Sequence, residues 1–444
     1  MEKTIAAVST PFGTGGIAVI RVSGKEAFEI CEKIFVSGKK LSEVKSHSFV
    51  YGKIVKDGKV IDNCLCAVFR APNSFTGENV VEINCHGGIK ITAMVLDAVL
   101  SAGASMAERG EFSKRAFVNG KLDLSEAEAV IDLINAKTEN AASLASKQLD
   151  GGVSKKINNL RDSIAAINAK ILAVIDFPDE EIDEYETHEF IEILKEKRKE
   201  IEKLIKSFSV GKIYRNGLSV LLIGKTNAGK SSLLNRLINE NKAIVTDIAG
   251  TTRDVIEEYI DIKGIPVKLS DTAGIRKTDD IVENIGVERS KELIKTADII
   301  LCVIDGSRPL SDDDREIFEL VKDKKVIYLK NKCDLENQAE TDLPFIEISC
   351  KDGMGLEKLC DAIYENCETY GGDDTVINNV RHKNCLENAL SHINDGINGF
   401  EAGFPYDIVS IDLESACMEL GNITGLSVSQ ETVNHIFADF CVGK

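Results

Sequence analysis

The chain contains no tryptophan, only seven prolines in 444 residues, and a shortage of positive charge: 54 Lys and Arg stand against 72 Asp and Glu, a formal charge of −18. The missing tryptophan bears on no function. The charge does, because phosphate neutralisation dominates nucleic-acid affinity; an acidic chain is a poor autonomous nucleic-acid binder, and an RNA substrate would need basic surface from a partner. No stretch approaches the roughly 18 uninterrupted apolar residues of a membrane-spanning helix. Met1-Glu2-Lys3 opens no long apolar leader, so a cytoplasmic protein without membrane association is expected. Twelve cysteines without C-x-x-C pairs, and six histidines that do not cluster near them, argue against a disulfide framework and against structural zinc.

A chain of this length is expected to form two or three domains, each able to bury its own core. Residues 1–118 mix short β-branched runs with helical stretches and read as an α/β domain. From Ser125 the pattern turns helical: Ile157, Leu160, Ile164, Ile167, Ile171 and Val174 recur at spacings of three and four, a continuous apolar face. Asp176 to Tyr185 is an acidic, proline-containing break; Phe190 to Phe208 resumes helical spacing. After Gly371-Gly372, helix returns with Leu386, Leu390, Ile393, Ile397 and Phe400 on one face. The reading is multidomain α/β plus all-α: a helical domain (119–216 and 372–444) interrupted by a second α/β domain (217–371). Gly13-Thr14-Gly15-Gly16-Ile17-Ala18 formally fits a dinucleotide fingerprint, but it leads into the β-branched run Ile17 to Val22 rather than a helix, against that reading.

Between Leu218 to Ile223, read as a buried strand, and the helix-forming Ser232 to Ile238 lies Gly224-Lys225-Thr226-Asn227-Ala228-Gly229-Lys230-Ser231, a complete GxxxxGK[ST] loop. Its N–H groups suit wrapping round phosphates, with Lys230 reaching the β- and γ-oxygens, Ser231 holding Mg²⁺ and the helix opening at Ser232 facing the anion with its positive end. Asp271-Thr272-Ala273-Gly274 follows the strand-like Val267 to Ser270; there an acidic side chain binds Mg²⁺ through water and Gly274 meets the γ-phosphate. Asn331-Lys332-Cys333-Asp334 follows Lys325 to Leu329 and selects the base. The Asp334 carboxylate accepts from N1–H and the 2-amino group of guanine, which adenine lacks, so the nucleotide is GTP. Ser349-Cys350-Lys351 follows Pro344 to Ile348, where a backbone N–H meets the guanine oxygen. Ile275 stands where many Ras-like GTPases carry a water-orienting glutamine. Hydrolysis is then slow, or another group places the water; Arg276, Asp279, Asp280 and Glu283 lie downstream, and the residues alone single out none.

Asn227-Ala-Gly-Lys-Ser-Ser232, Ile244-Val-Thr-Asp-Ile-Ala-Gly-Thr-Thr-Arg-Asp254 and Phe440-Cys-Val-Gly-Lys444 resemble the MnmE (TrmE) family of tRNA-modifying GTPases. So do Thr10-Pro11, Gly15-Gly16-Ile17, Arg21-Val-Ser-Gly24, Ala71-Pro-Asn-Ser-Phe-Thr-Gly-Glu78, His86-Gly87-Gly88, Gly110-Glu-Phe112, Arg115-Ala-Phe117 and Asn119-Gly-Lys-Leu-Asp-Leu124, which extends the likeness over essentially the whole chain.

The resemblance implies a Ras-like G domain in which potassium replaces an arginine finger, held by Asn227, Thr246, the Ile248 carbonyl and Thr251. The loop Thr246, Asp247, Ile248, Ala249, Gly250, Thr251 and Thr252 would line the nucleotide, Thr252 would join Ser231 on Mg²⁺, and Glu283 would position the water, which answers Ile275. It further implies a homodimer whose G domains meet for hydrolysis. The N-terminal domain and tail would bind 5-formyl- or methylene-tetrahydrofolate through Arg21, Glu82, Lys121 and Lys444, with Cys441 a candidate participant in the chemistry. The partner would be a flavin- and NADH-using protein of the MnmG (GidA) family, and the product a tRNA wobble uridine modified at carbon 5. This chain departs from the pattern at Ala107-Glu108-Arg109, where the family tends to have Ala-Arg-Pro, and at Cys333 and Cys350. The rival expectations are a ribosome-assembly GTPase switch and a signalling GTPase; neither accounts for the N-terminal motifs with Cys441 to Lys444.

Overall fold

Apolar residues at every second position build the first sheet, as a half-buried strand requires. In order come β1 (Ile5–Val8), β2 (Ile17–Ser23), α1 (Ala27–Ile34), β3 (Phe35–Ser37), β4 (Ser48–Lys56), β5 (Lys59–Phe69), β6 (Val80–His86), α2 (Ile89–Ser101), β7 (Ser105–Met106) and α3 (Glu111–Val118). The strands form one sheet in the order β3-β4-β5-β6-β2-β1-β7, antiparallel except for the β1–β7 pair. On β4, Val50 and Ile54 point into the core while Phe49 and Tyr51 are exposed. That core is closed by Phe28, Ile30 and Ile34 of α1 and by Val95 and Val99 of α2. β2 begins at Ile17 with no helix behind Gly13 to Gly16, which removes the dinucleotide fingerprint on structural grounds.

This computed structural model describes residues 3–177, 184–240, 258–271, 292–367 and 375–444. By contact the chain divides into two units: Met1–Ile131 with Gln148–Ala165 and Cys417–Lys444, and Asp132–Lys147 with Ala166–Ala416.

The remaining elements are α4 (Leu124–Asn135), α5 (Glu139–Leu149), α6 (Gly152–Asp176), α7 (Glu184–Asn216), β8 (Leu218–Ile223), α8 (Lys230–Glu240), β9 (Glu258–Ile262), β10 (Ile265–Asp271), β11 (Ile299–Asp305), α9 (Asp312–Val321), β12 (Val326–Asn331), β13 (Phe345–Glu347), α10 (Leu356–Glu365), α11 (Val380–Glu401), α12 (Tyr406–Thr424) and α13 (Gln430–Ala438). In the first unit a satellite core joins Phe117, Leu124 and Ala127 to Val433, Phe437 and Phe440. Asp123 and Glu126 start α4 with a reciprocal box, each backbone N–H donating to the other's carboxylate at 2.9 Å, which satisfies two otherwise orphaned donors.

In the second unit the sheet order is β13-β12-β11-β8-β10-β9, parallel throughout except for edge strand β9. β8 coincides with its expected span, and α8 begins two residues earlier than expected, at Lys230. Helix α7 packs on α11, with Phe190 and Phe400 rings 6.2 Å apart and Lys195 3.1 Å from Glu401. On α11, Leu386, Ile393, Ile397 and Phe400 are buried as the periodicity predicts. Leu390 is only half-buried, and its neighbour Ala389 takes the inward place, because 3.6 residues per turn do not keep a strict three-four alternation on one line. The molecule is thus multidomain α/β plus helical, and no helix among the described residues is long and apolar enough to cross a membrane.

Candidate functional site

Parallel strands present their carboxyl ends on one edge, the place where open α/β sheets bind ligands. In the second unit β8 lies between β10 and β11, with Leu222 opposite Asp271 and Ile223 opposite Cys302; Asp305 of β11 pairs with Asn331 of β12. The phosphate loop, Asp271, Asp305 and Asn331 therefore leave the sheet side by side. β8 is buried at five of six positions, so the loop rests on a rigid base.

Within the loop, Asn227 is exposed and adopts φ +69°, left-handed geometry that costs little for asparagine. Gly229 has φ +98°, and a side chain there would run into the Asn331 amide. Lys230 is buried; its ammonium donates to the carbonyls of Gly224 at 2.7 Å and Lys225 at 2.8 Å. Ser231 and Ser232 are exposed on the first turn of α8, the end where the helix dipole favours an anion. Lys225 donates to Ser311 at 2.8 Å and pairs with Asp313 at 2.9 Å, joining the loop to the start of α9.

The segments Asn331 to Asp334 and Ser349 to Lys351 are tied to this loop by Asn331. Its side-chain N–H₂ donates to the Ala228 carbonyl at 2.9 Å, and its Oδ1 accepts from the Cys350 amide at 3.3 Å. Of the Ser349-Cys350-Lys351 backbone N–H groups, one of which is expected to meet the guanine oxygen, that of Cys350 is directed to Asn331 here. Asp334 is exposed and its Oδ1 accepts from the buried Ser349 hydroxyl at 3.0 Å, which fixes the carboxylate's orientation. Lys332 adopts φ +66° and its ammonium sits 2.6 Å from Asp305. Burial pushes the Asp305 carboxyl up, but hydrogen bonds from Lys332 and from the Ser307 hydroxyl and amide outweigh it and hold the group below the ordinary carboxylate range. Lys351 is exposed. The side chain of Asp271 and all of Thr246, Asp247, Ile248, Ala249, Gly250, Thr251, Thr252, Thr272, Ala273, Gly274 and Glu283 lie outside the described residues.

Sequence reasoning missed Asp305 and the structural duty of Asn331. The signal for Asp305 was available: it closes the apolar run Ile299 to Ile304 immediately before Gly306, as Asp271 closes its own strand. Asn331 is 2 % exposed, so Asn331→Ala strips the Ala228 carbonyl and the Cys350 amide of a partner at once. We expect a loss of roughly 1–3 kcal/mol of stability and weakened nucleotide binding; thermal unfolding with and without GTP measures both.

In the first unit a second constellation forms. The β2–β6 register sets Arg21 opposite Glu82, and both Nε and Nη2 of Arg21 reach Glu82 Oε1 at 2.8 Å. Phe75 and Phe112 flank the guanidinium, with ring centres 5.5 and 5.6 Å from Cζ; both belong to the N-terminal motifs, whose sequence alone assigns them no role. Residues 441–444 dock beside them: Val442 bridges Arg109, the Cys441 carbonyl accepts from the Gly110 amide at 3.3 Å, and the Gly443 carbonyl accepts from Ser9 at 3.1 Å and Arg21 at 3.5 Å. Gly443 has φ +95°, and a Cβ would strike the Val8 backbone. Lys444 ends half-buried; desolvation first, then the Arg21 charge, lower its pKa against the pull of Glu82 and Cys441. The structure thus brings together Arg21, Glu82 and Lys444, with Cys441 exposed beside them. Lys121 is exposed and lies over Gly77; no contact with the other three is found among the described residues.

A phosphate loop tied through Asn331 to the Asn331-Lys332-Cys333-Asp334 segment, on the carboxyl edge of a parallel sheet, defines the class: a P-loop guanine-nucleotide domain. A family model described as "GTP-binding protein TrmE N-terminus" matches residues 4–121, and one described as "MnmE helical domain" matches residues 124–441. The chain is 47% identical to the tRNA modification GTPase MnmE of Thermoanaerobacter pseudethanolicus over 458 residues, covering 99% of each chain. It is 46% identical to the protein of the same name from Clostridioides difficile over 459 residues, 100% of both, and 46% identical to that from Listeria innocua, 99% of each. The chain belongs to the MnmE family of tRNA modification GTPases.

Proposed function

We propose that this chain is a potassium-dependent GTPase, active as a homodimer, that works with a partner of the MnmG type. Together they would install an aminomethyl or carboxymethylaminomethyl group at C5 of a tRNA wobble uridine, using a tetrahydrofolate one-carbon unit. The observation that carries this reading is the gathering of Arg21, Glu82 and Lys444 in a chain that also holds the guanine-nucleotide site. The −18 charge supports leaving most tRNA contact to the partner, and the cytoplasm is the proposed location. The proposed domain limits are 1–118, 119–216 with 372–444, and 217–371.

Within the nucleotide site, Lys230 moves from the loop carbonyls to the β- and γ-phosphates, and the amides from Asn227 to Ser232 cradle them. Asp334 reads guanine, with Asn331, Lys332, Ser349, Cys350 and Lys351 framing the base. Ser231 and Thr252 would hold Mg²⁺, with Asp271 behind a water. Asn227, Thr246, the Ile248 carbonyl and Thr251 would hold K⁺, whose charge would offset that developing on the phosphates. The exposed, surface-directed Asn227 suits a ligand. Glu283 positions the attacking water.

The first-unit cluster suits a folate by its donor set. Glu82 receives Arg21 through Oε1 alone, and among the described residues Oε2 has no donor, so it remains for the amino-pyrimidine edge; Lys444 and Lys121 suit the glutamate tail. The bound folate would supply the one-carbon unit, with Cys441 close to it. Isothermal titration of 5-formyltetrahydrofolate tests this. Arg21→Ala should weaken binding about 10- to 100-fold, the worth of charge-assisted hydrogen bonds, while GTP turnover, read as a control for folding, stays at the wild-type rate. Undiminished folate binding in both Arg21→Ala and Glu82→Ala would sink the assignment.

A further inference from the structure

Helices α11 and α12 form an antiparallel hairpin drawn close at two glycines. A Cβ on Gly396 would lie 3.1 Å from Leu413, and one on Gly399 3.0 Å from Val409, so a side chain at either position would press on its neighbour across the hairpin. Beside the first of these contacts sit His392 and Asp395, three residues apart and therefore neighbours on one face of α11, with Asp412 reaching across from α12. One ligand atom from each of the three lies within 4.8 Å of the others, and His392 Nδ1 is 4.0 Å from Asp412 Oδ1. His392 and Asp412 are half-buried and Asp395 is exposed, which leaves a path from solvent. No Lys or Arg forms an ion pair with either carboxylate among the described residues. Two like charges are thus held together by the backbone, with no countercharge except an imidazole.

We propose that His392, Asp395 and Asp412 bind one divalent transition-metal ion that clips α11 to α12. Metal–nitrogen and metal–oxygen bonds of about 2.0–2.2 Å place tetrahedral neighbours about 3.4 Å apart, so small side-chain rotations close the cluster. One imidazole with two carboxylates suits Zn²⁺, Co²⁺ or Mn²⁺ and disfavours thiophilic ions. The remaining coordination positions go to water, and the ion's role is structural. Reading the sequence for Cys and His spacing could not find it, because the third ligand comes from another helix.

Co²⁺ is the probe, added to the full-length, nucleotide-free protein after chelator treatment and followed by equilibrium dialysis and visible absorption. One ion per chain is expected, without a thiolate charge-transfer band, together with a rise in melting temperature. His392→Ala and Asp412→Asn should each weaken binding about a hundredfold and abolish the rise. Asp395→Asn, at an exposed position, separates ligation from packing and should weaken binding without altering the metal-free melting temperature. Equal Co²⁺ binding by wild type and the His392→Ala, Asp412→Asn double variant would overturn the proposal, as would no binding by wild type.

Discussion

Asp334→Asn is expected to reduce GTP affinity by about 10³-fold or more and to make xanthosine triphosphate the better ligand. The exposed Asp334 carboxylate is turned by the Ser349 hydroxyl on its Oδ1, and Asn331 anchors the same segment to the phosphate loop through Ala228. Guanine offers two donors to that carboxylate, N1–H and the 2-amino group. An asparagine places one acceptor and one donor there, so its N–H₂ would face the 2-amino group donor to donor. Xanthine has a carbonyl at that position and restores both bonds. The substitution changes hydrogen-bond polarity with almost no change of shape, so the fold and phosphate contacts should persist. Competition binding with GTP, xanthosine triphosphate and ATP measures it; an unchanged GTP preference would mean that Asp334 does not read the base.

What was legible in the sequence was contiguous. Gly224 to Ser231, Asn331 to Asp334 and Ser349 to Lys351 each carry their chemistry within a few residues, and the apolar strands before them were found to within a residue or two. The links that turn these pieces into a site were not legible, since they depend on tertiary register. Asn331 meets Ala228 across 103 positions, and Arg21 meets Glu82 only because β2 and β6 pair in one register. Arg115 and Glu78 were visible only as motif members. In the fold Arg115 is buried, 3.1 Å from Glu78 and 2.8 Å from both Glu111 and the Lys3 carbonyl, a partnered charge. Removing Arg115 would take the one charge partner shown for both Glu78 and Glu111 among the described residues, which makes this position structural. Arg21 differs from it in lying against two rings and a carboxylate whose second oxygen meets no donor among the described residues.

GTP turnover should be about 10²-fold faster, or more, in potassium than in sodium at matched ionic strength, the effect expected when a positioned charge meets the transition state. Ile275 cannot orient water, so fast hydrolysis would need both a positioning group and a cation from elsewhere. Asn227 is exposed on the loop with φ +69°, directly before the Ala228 carbonyl held by Asn331; its side chain therefore springs from a fixed backbone and needs little ordering to serve as a ligand. The larger ion should fit a cage spanning Asn227, Thr246, Ile248 and Thr251, and the smaller one should leave some of those oxygens unmet. If two G domains must also meet, the rate per chain in potassium should climb with protein concentration, and in sodium it should not. Asn227→Ala should erase the potassium advantage while leaving slow basal turnover. Equal, slow rates in both salts would show that Asn227 and the Thr246 to Thr251 loop hold no catalytic cation. The charge on the transition state would then have to be met by a group from another protein, and turnover would respond to that partner instead of to the salt.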